Sequence, residues 1–272
     1  MLLEWARRAD AGPFSSLGVL DRVAYDCHEP LSLLAAAAGV TQRATLVTMV
    51  VIAPLRSTAL LAKQAAFVDA LSGGRLVLGL AVGARTSDYD AAGIHHRDRG
   101  RRFERQLAEL RDLWESGPGP RGAEARGPVV LVGGGSDVSF ARVARHADGY
   151  VHGGGPPRAF ARAAERTRAA WTDAARPGRP ALWGQSYFAL GDEETVHRGR
   201  EYMLDYYAFA GPFAEKIAEG LLTTPHAVLQ QVRGYAEEGC DELVLLPAVA
   251  DPGQLDLLAD VVAEARLTEP VP

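Results

Sequence analysis

The sequence predicts an α/β fold built from repeated strand–helix units. Seven short apolar segments alternate with amphipathic helical segments along the chain. Several of the apolar segments are continuous rather than alternating, which is typical of parallel strands covered on both faces. At 272 residues the chain suits one barrel or two smaller domains. Repeated strand–helix units therefore leave two architectures open, a (β/α)8 barrel and a doubly wound open sheet.

Each strand and each helix is predicted from the apolar pattern of its own segment. Strands are predicted at residues 15–21, 44–54, 75–83, 128–133, 149–153, 182–190 and 241–248. Helices are predicted at residues 30–38, 58–71, 100–114, 138–146, 158–175, 195–207, 225–238 and 254–265. The chain itself starts inside an amphipathic helix, with Leu2, Leu3 and Ala6 on one face. A barrel requires a strand before that helix, so we expect the first strand to be missing from this sequence.

Three connections are long, at residues 86–100, 116–127 and 207–220. We expect the first and third to fold over the carboxyl ends of the strands, where a barrel keeps its active site.

Composition excludes several classes of function. The net charge of −5 argues against nucleic acid as a partner, because phosphate binding depends on clustered Lys and Arg. Cys27 and Cys240 provide neither a disulfide framework nor a metal site. Glu4 interrupts what would be the core of a signal peptide, and the apolar runs fall short of the ~20 residues needed to cross a bilayer. We therefore expect a cytoplasmic protein with no metal and no membrane partner.

The segment "VVLVGGGSDVSFARVARHADGY" (residues 129–150) places glycines between a strand and a helix. The start of a helix leaves backbone N–H groups unpaired and carries positive dipole charge, so it attracts anions. Gly134 and Gly135 allow close approach to the backbone, and Ser136 adds a hydroxyl. A tight turn with a serine cap is the alternative interpretation. A dinucleotide fingerprint does not fit, because "GGGSDV" lacks the third glycine.

A second glycine cluster, "HGGGPP", ends the next predicted strand. His152 and Gly153 are its first two residues. Two such turns at neighbouring strand ends predict one polar pocket, with His152 and Gly153 as contacts of a bound cofactor.

Four segments together resemble the bacterial luciferase-like monooxygenase superfamily of flavin- and F420-dependent barrels. They are residues 31–56, residues 60–83 ("LLAKQAAFVDALSGGRLVLGLAVG"), residues 99–114 ("RGRRFERQLAELRDLW") and residues 129–150, in family order. The resemblance implies a single barrel domain over residues 1–272, usually a homodimer, which binds FMN or F420 at the strand carboxyl ends.

The resemblance also implies cofactor contacts. The phosphate group is expected on Gly134, Gly135 and Ser136. A bulge with a cis non-proline peptide bond is expected at Met49–Val50, beside Val51 and beneath the cofactor ring. An ordinary buried strand is the alternative there.

Departures from the family affect the expected chemistry. Arg22 stands where many members carry a histidine, and a permanently protonated arginine cannot act as a general base. Val82 replaces a phosphate-binding arginine, and Ala84 replaces a carboxylate of F420-dependent sugar dehydrogenases. Arg85 is then expected to contact phosphate or substrate, and Tyr89 to stack on substrate or flavin. We accordingly name Arg22, Arg85 and Tyr89 as the candidate catalytic residues.

The leading hypothesis is a flavin-dependent oxidoreductase or monooxygenase acting on a small organic substrate. FMN is favoured over F420 because the chain lacks lysine clusters for a polyglutamate tail. A separate flavin reductase or an F420 supply is an expected partner. One alternative is a flavin-binding barrel without turnover, which Arg22, the missing first strand and a shortened segment 116–127 motivate. The other alternative is a doubly wound NAD(P)-dependent enzyme.

Overall fold

A computed structural model describes residues 1–116 and 127–268 of the chain. The chain forms two compact units. The larger unit comprises Ser15–Val151 and Glu165–Ala181, and the smaller unit comprises Met1–Phe14, His152–Ala164 and Leu182–Pro272. The prediction of one domain over residues 1–272 stays a prediction. Most of the long connection at residues 116–127 lies outside the described residues.

Strands and helices alternate almost throughout the described chain. In chain order they are α1 (Leu2–Ala11), β1 (Ser16–Val19), α2 (Pro30–Ala38), β2 (Thr45–Thr48), β3 (Val51–Ile52), α3 (Thr58–Ser72), β4 (Leu76–Ala81), α4 (Thr86–Ala91), α5 (Arg99–Ser116), β5 (Val129–Gly133), α6 (Asp137–His146), β6 (Gly149–His152), α7 (Pro157–Asp173), β7 (Ala181–Phe188), α8 (Glu193–Tyr206), α9 (Phe213–Ala218), α10 (Pro225–Glu237), β8 (Glu242–Pro247) and α11 (Gly253–Thr268). All seven predicted strand regions and all eight predicted helical regions therefore contain the expected element.

The larger unit is built on parallel strands in the order β1, β2, β4, β5, β6. Strands β2, β4 and β5 are mostly buried on both faces, as the continuous apolar runs predicted, whereas the four residues of β1 are half-buried. Leu46, Leu78 and Leu131 are each 0% exposed. Parallel strands end at the same edge of a sheet, so the turns that follow β1, β3, β4 and β5 emerge on one side of this unit.

The predicted strand at residues 44–54 is divided into β2 and β3. Leu46 pairs with Leu76, but Val51 pairs with Leu80, so the register against β4 shifts by one residue between the two pieces. The Met49–Val50 peptide bond lies in this bulge and is cis. The bulge and its cis bond are thus confirmed.

Local signals set the helix boundaries. Glu29 accepts a hydrogen bond from the Ser32 N–H at 2.6 Å and Pro30 opens α2, which is the preferred N-terminal arrangement. Helix α3 ends at Gly73 with φ of 71°, a left-handed conformation that glycine adopts without steric penalty.

The smaller unit pairs β7 with β8 in parallel. Its apolar core consists of Phe188, Leu190, Leu222, Val228, Leu258 and Val261. Buried Gln254 satisfies the backbone of Leu190, a member of this core, because its side chain accepts from the Leu190 N–H at 2.9 Å and donates to the Leu190 carbonyl at 2.6 Å.

Two short helices within long connections were not predicted. Helix α4 has the sequence "TSDYDA" and α9 has "FAEKIA", and neither is long enough to show a helical apolar period. Across residues 1–116 and 127–268, we find no helix with both the length and the apolar character that a bilayer crossing demands.

Candidate functional site

An exposed turn follows β5 in the larger unit. Gly133 is buried, whereas residues 134–138 are all exposed. Gly134 has φ of 135°, and a Cβ atom there would lie 2.3 Å from the Ser139 Oγ. Ser136 caps α6, since its hydroxyl accepts from the Ser139 N–H at 3.3 Å. The close packing of Gly134 against Ser139 therefore requires glycine at this position.

The turn offers unengaged hydrogen-bond donors. Within the described residues, the backbone N–H groups of Gly135, Asp137 and Val138 donate no hydrogen bond. A Cβ atom added to Gly135 would meet no heavy atom within 4 Å. Arg166 lies beside the turn, donating to the Asp137 carboxylate and, at 3.4 Å, to the Gly135 carbonyl. Open space, free donors and a nearby cation are what an anion requires.

The bulge between β2 and β3 presents one partly exposed side chain. Met49 is 3% exposed and Val51 is fully buried, whereas Val50 is half-buried. Gly79 on β4 faces this bulge, and a Cβ atom there would lie 2.2 Å from the Thr48 carbonyl oxygen and 3.0 Å from Val50 Cγ1. Only a glycine at this point of β4 allows the bulge to sit so close.

Arg22 follows β1 and forms a buried ion pair. Its Nε donates to Asp88 Oδ2 at 2.7 Å, and the two side chains are 5% and 1% exposed. The other Asp88 oxygen accepts from the backbone N–H groups of Val23 and Ala24, at 3.0 and 2.8 Å. Asp88, in α4, therefore fixes the loop after β1 as well as the Arg22 side chain.

A second ion pair uses the residue before Arg22. The Asp21 carboxylate accepts from both terminal nitrogens of Arg56, at 2.6 and 2.9 Å, and from the Ile52 N–H at 2.8 Å. Glu29 also accepts from Arg56 at 3.3 Å. This bidentate arrangement joins the loops after β1 and β3. Burial acts to lower the pKa of Arg56, but its bonds to Asp21 and Glu29 outweigh that and raise it.

Sequence reasoning missed Asp88 and Arg56, the partners in these pairs. Asp88 stands 66 positions from Arg22, and Arg56 stands 35 positions from Asp21. The available signal was weak: each lies just after a predicted strand, where side chains from neighbouring strands meet.

Arg85 and Tyr89 lie after β4, and the structure gives them different surroundings. Arg85 is half-buried. Tyr89 is 0% exposed, its hydroxyl donates to the Val82 carbonyl, and its ring packs edge-on against His96 with centroids 5.0 Å apart. Burial raises the pKa of Tyr89 to about 12. The ring thus packs against protein in this arrangement, and stacking on a ligand stays a prediction.

In the smaller unit, His152 and Gly153 begin a glycine turn after β6. The His152 ring packs against Phe160 and Tyr235, with centroids 5.9 and 6.4 Å away. Burial lowers the pKa of His152, and a backbone contact with Gly154 only partly opposes this. The imidazole is therefore neutral near pH 7.

The described residues bring together no cluster of metal-ligating side chains. The larger unit has a turn with unengaged N–H groups after β5, a glycine-backed bulge after β2 and two arginine–carboxylate pairs after β1. These features place hydrogen-bond donors and arginine–carboxylate pairs at the strand carboxyl ends of a parallel α/β protein, the edge at which such sheets usually carry their binding sites.

Comparison with known proteins identifies the family. The sequence model of the luciferase-like monooxygenase family matches residues 1–241. The chain belongs to this family, which confirms the resemblance stated above.

A curated relative shows how much of the chain can be aligned with a similar protein. An uncharacterized protein of Mycobacterium tuberculosis is 30% identical over 187 residues, which span 56% of this chain and 65% of that protein. The match thus covers less than two thirds of this relative's length.

Solved structures show the same fold. An F420-dependent secondary alcohol dehydrogenase, solved with an F420–acetone adduct, has a TM-score of 0.79 at 14% identity, covering 96% of this chain and 93% of its own. The oxygenating constituent of 3,6-diketocamphane monooxygenase from Pseudomonas putida, a type II Baeyer–Villiger enzyme in complex with FMN, has a TM-score of 0.74 at 15% identity, covering 100% and 93%. The predicted luciferase-like (β/α)8 class is confirmed, and the doubly wound alternative is wrong.

Proposed function

We propose that this protein is a flavin- or deazaflavin-dependent oxidoreductase, most consistent with an FMN-dependent monooxygenase, acting on a small organic substrate. The observation that carries the proposal is the turn after β5. Three N–H groups that are unengaged among the described residues, at Gly135, Asp137 and Val138, lie at a helix start in a chain of the luciferase-like family, and Gly135 leaves room for a ligand beside them.

The turn suits a phosphate group. The donors are backbone amides and the Ser136 hydroxyl, and a Cβ atom added at Gly135 would meet no heavy atom within 4 Å. Arg166 balances the Asp137 carboxylate, so this carboxylate does not repel an incoming anion at full strength. Gly134, Gly135 and Ser136 would hold the cofactor phosphate, and Met49, Val50 and Val51 would support its ring. The cofactor, once bound, supplies the redox chemistry.

The protein's own side chains have positioning and electrostatic roles. Asp88 fixes the orientation of Arg22, and an arginine cannot serve as a general base, so its role would be to stabilise negative charge rather than to move protons. Arg85 is proposed as a phosphate or substrate contact, and Tyr89 as an aromatic wall. His152 and Gly153 are proposed as cofactor contacts of the smaller unit.

FMN is proposed over F420 because Lys63 and Lys216 are the only two lysines in the sequence, too few to bind a polyglutamate tail. Each cofactor occurs in a structural relative. A flavin reductase would supply reduced FMN, and an F420-reducing enzyme would supply the alternative.

Titration of the purified protein with FMN, F420 and NADPH tests the proposal. We expect FMN to bind with 1:1 stoichiometry and quenched fluorescence. The proposal fails if neither FMN nor F420 binds with a Kd below ~100 μM, which corresponds to about −5.5 kcal/mol.

A flavin-binding protein without turnover is the second candidate. The observation in its favour is that Arg22, where many family members have a histidine, is buried with Asp88 and cannot act as a base. Tight FMN binding combined with no consumption of O2 or reductant across a substrate panel would favour this function.

We also propose that the protein is a homodimer. Leu60, Phe67 and Leu71 form a stripe on α3 and are 61%, 52% and 47% exposed. Residues spaced by seven and four positions share a helix face, and an exposed apolar stripe of this kind typically marks a protein contact.

A further inference from the structure

A cavity of about 570 Å³ lies between α5 and α6 in the larger unit, and the proposed function does not use it. Its volume is within the range of small-molecule sites. The charged and titratable side chains that line it are Arg101, Glu104, Arg105, Arg142, Arg145 and His146. His146 is nine residues after Asp137, which is about 14 Å along the axis of α6 from the turn after β5. The cavity is therefore distinct from that turn.

One carboxylate serves three basic side chains in this cavity. Glu104 Oε2 accepts from Arg142 Nε at 2.9 Å, and Glu104 Oε1 accepts from Arg145 Nη1 at 3.0 Å. His146 Nε2 lies 3.1 Å from the same Oε1. Burial acts to raise the pKa of Glu104, but the bonds from Arg142 and His146 outweigh this and lower it. Glu104 is thus an ionised carboxylate that fixes the basic groups in place without balancing their combined charge.

Arg142 is the most buried of the basic groups in the cavity. Its side chain is 10% exposed, and its Nη2 donates to the Gly100 carbonyl at 3.0 Å. Together with the bond to Glu104, this contact holds the guanidinium in one orientation. A fixed guanidinium in a cavity wall can pair with an anion at little further cost in side-chain entropy.

Two exposed arginines reach the same cavity from the first two turns of α5. Arg101 pairs with Asp98 at 2.8 Å and Arg105 pairs with Glu109 at 3.4 Å, and the arginine side chains are 82% and 67% exposed. Exposed pairs of this kind contribute little to stability, so either arginine can turn to a ligand at small cost. Even with Asp98 and Glu109 included, the arginines outnumber the carboxylates.

Helix stability explains only part of this charge. Basic residues suit the last turn of a helix, which accounts for Arg145 and His146 on α6. The first turn of α5 has no acidic residue, although negative charge stabilises that end of a helix. Arg101 lies in this turn instead. A bound anion would satisfy both the arginines and the positive end of α5.

We propose that this cavity is a second anion site, which binds a small organic molecule through a carboxylate or phosphate group. Arg101 and Arg145 supply the accessible charge, and Arg142 supplies the fixed guanidinium. An arginine fork matches either group, because its paired N–H donors meet two oxygens at once. All of these residues belong to the larger unit.

Calorimetric titration of the protein with inorganic phosphate and, separately, with succinate tests the site at low ionic strength. We expect at least one of these anions to bind with a Kd below ~1 mM. Arg145→Gln should weaken that binding at least about tenfold, which is the loss expected for one charge-assisted hydrogen bond. Arg101→Gln provides a second measurement on the other helix and should also weaken binding. Arg233→Gln is the matched control, because it removes the same charge from an exposed position of α10, and it should bind as the wild type does.

Gly135→Asp separates this site from the proposed cofactor turn, where inorganic phosphate also binds if that proposal is right. Weaker phosphate binding by Gly135→Asp, with none by Arg145→Gln or Arg101→Gln, assigns the anion to the turn and overturns the inference. It is also overturned if neither anion binds the wild type, or if neither arginine variant binds more weakly than Arg233→Gln. The anion that binds more tightly identifies the ligand group as phosphate or carboxylate. If FMN and F420 fail to bind but the arginine variants still weaken anion binding, the proposed function fails and this inference stands.

Discussion

The turn after β5 can be tested by placing a negative charge where the phosphate should bind. Gly135→Asp adds a carboxylate at a position where a Cβ atom meets no heavy atom within 4 Å. Gly135 also has no positive φ, so an L side chain is tolerated there. The folded state should therefore accept the substitution, and its effect should fall on the ligand.

The size of the effect follows from Coulomb's law. A carboxylate roughly 5 Å from a single phosphate charge costs about 1 kcal/mol in bulk water and about 3 kcal/mol near a protein surface. Those energies correspond to about fivefold and about 150-fold weaker binding. Because this turn is exposed, the effect should decrease when the salt concentration is raised.

The assay is fluorescence titration with FMN at low and high salt, beside Gly39→Asp as a matched control. Gly39 follows α2, is exposed, and has no neighbour closer than 3.6 Å to an added Cβ atom. Gly39→Asp should bind FMN as the wild type does. Equal affinity for Gly135→Asp and the wild type, with both folded, would refute a phosphate site at this turn.

Three further outcomes follow from the structure. Asp21→Asn should lower the free energy of unfolding by about 3 kcal/mol, because it breaks a buried bidentate ion pair. Glu215→Gln, in an exposed ion pair, should change the free energy of unfolding by less than about 1 kcal/mol. Equal losses for the two variants in urea titrations would contradict this. Because burial lowers the pKa of His152, the unfolded state takes up this proton more readily, and stability should fall as the pH drops below about 6.5. His152→Gln should remove that component, so a stability difference that stays constant from pH 7.5 to 5 would count against it. Phe67→Glu should convert a dimer to a monomer in analytical ultracentrifugation, whereas Phe213→Glu, exposed on α9, should not; an unchanged mass for Phe67→Glu would exclude the α3 stripe as the interface.

Much of the fold could be predicted from local patterns. Continuous apolar runs located the strands, and glycine, proline and serine located the turns, because those residues act on the backbone next to them. The bulge at Met49–Val50 was predicted from family resemblance and not from its own sequence, which reads as an ordinary buried strand. Helix α4 was missed because its six residues are too few to show a period.

The site was predictable only in part. Gly134, Gly135 and Ser136 are consecutive in the sequence, so they could be predicted to lie in one turn. Asp88 and Arg56 gave only a weak signal, because a charged residue in a loop is uninformative until its neighbours are known.

The sequence by itself determined the order of strands and helices, the glycine turns at two strand ends and the family of the chain. Only the tertiary structure decided that Asp88 holds Arg22, that Arg56 holds Asp21 and that Gln231 holds a turn 76 positions away. Backbone preferences and apolar periods act over a few residues, so they can be recognised in consecutive residues of the sequence. Hydrogen bonds and ion pairs depend on distance in space, and folding brings distant parts of the chain within that range.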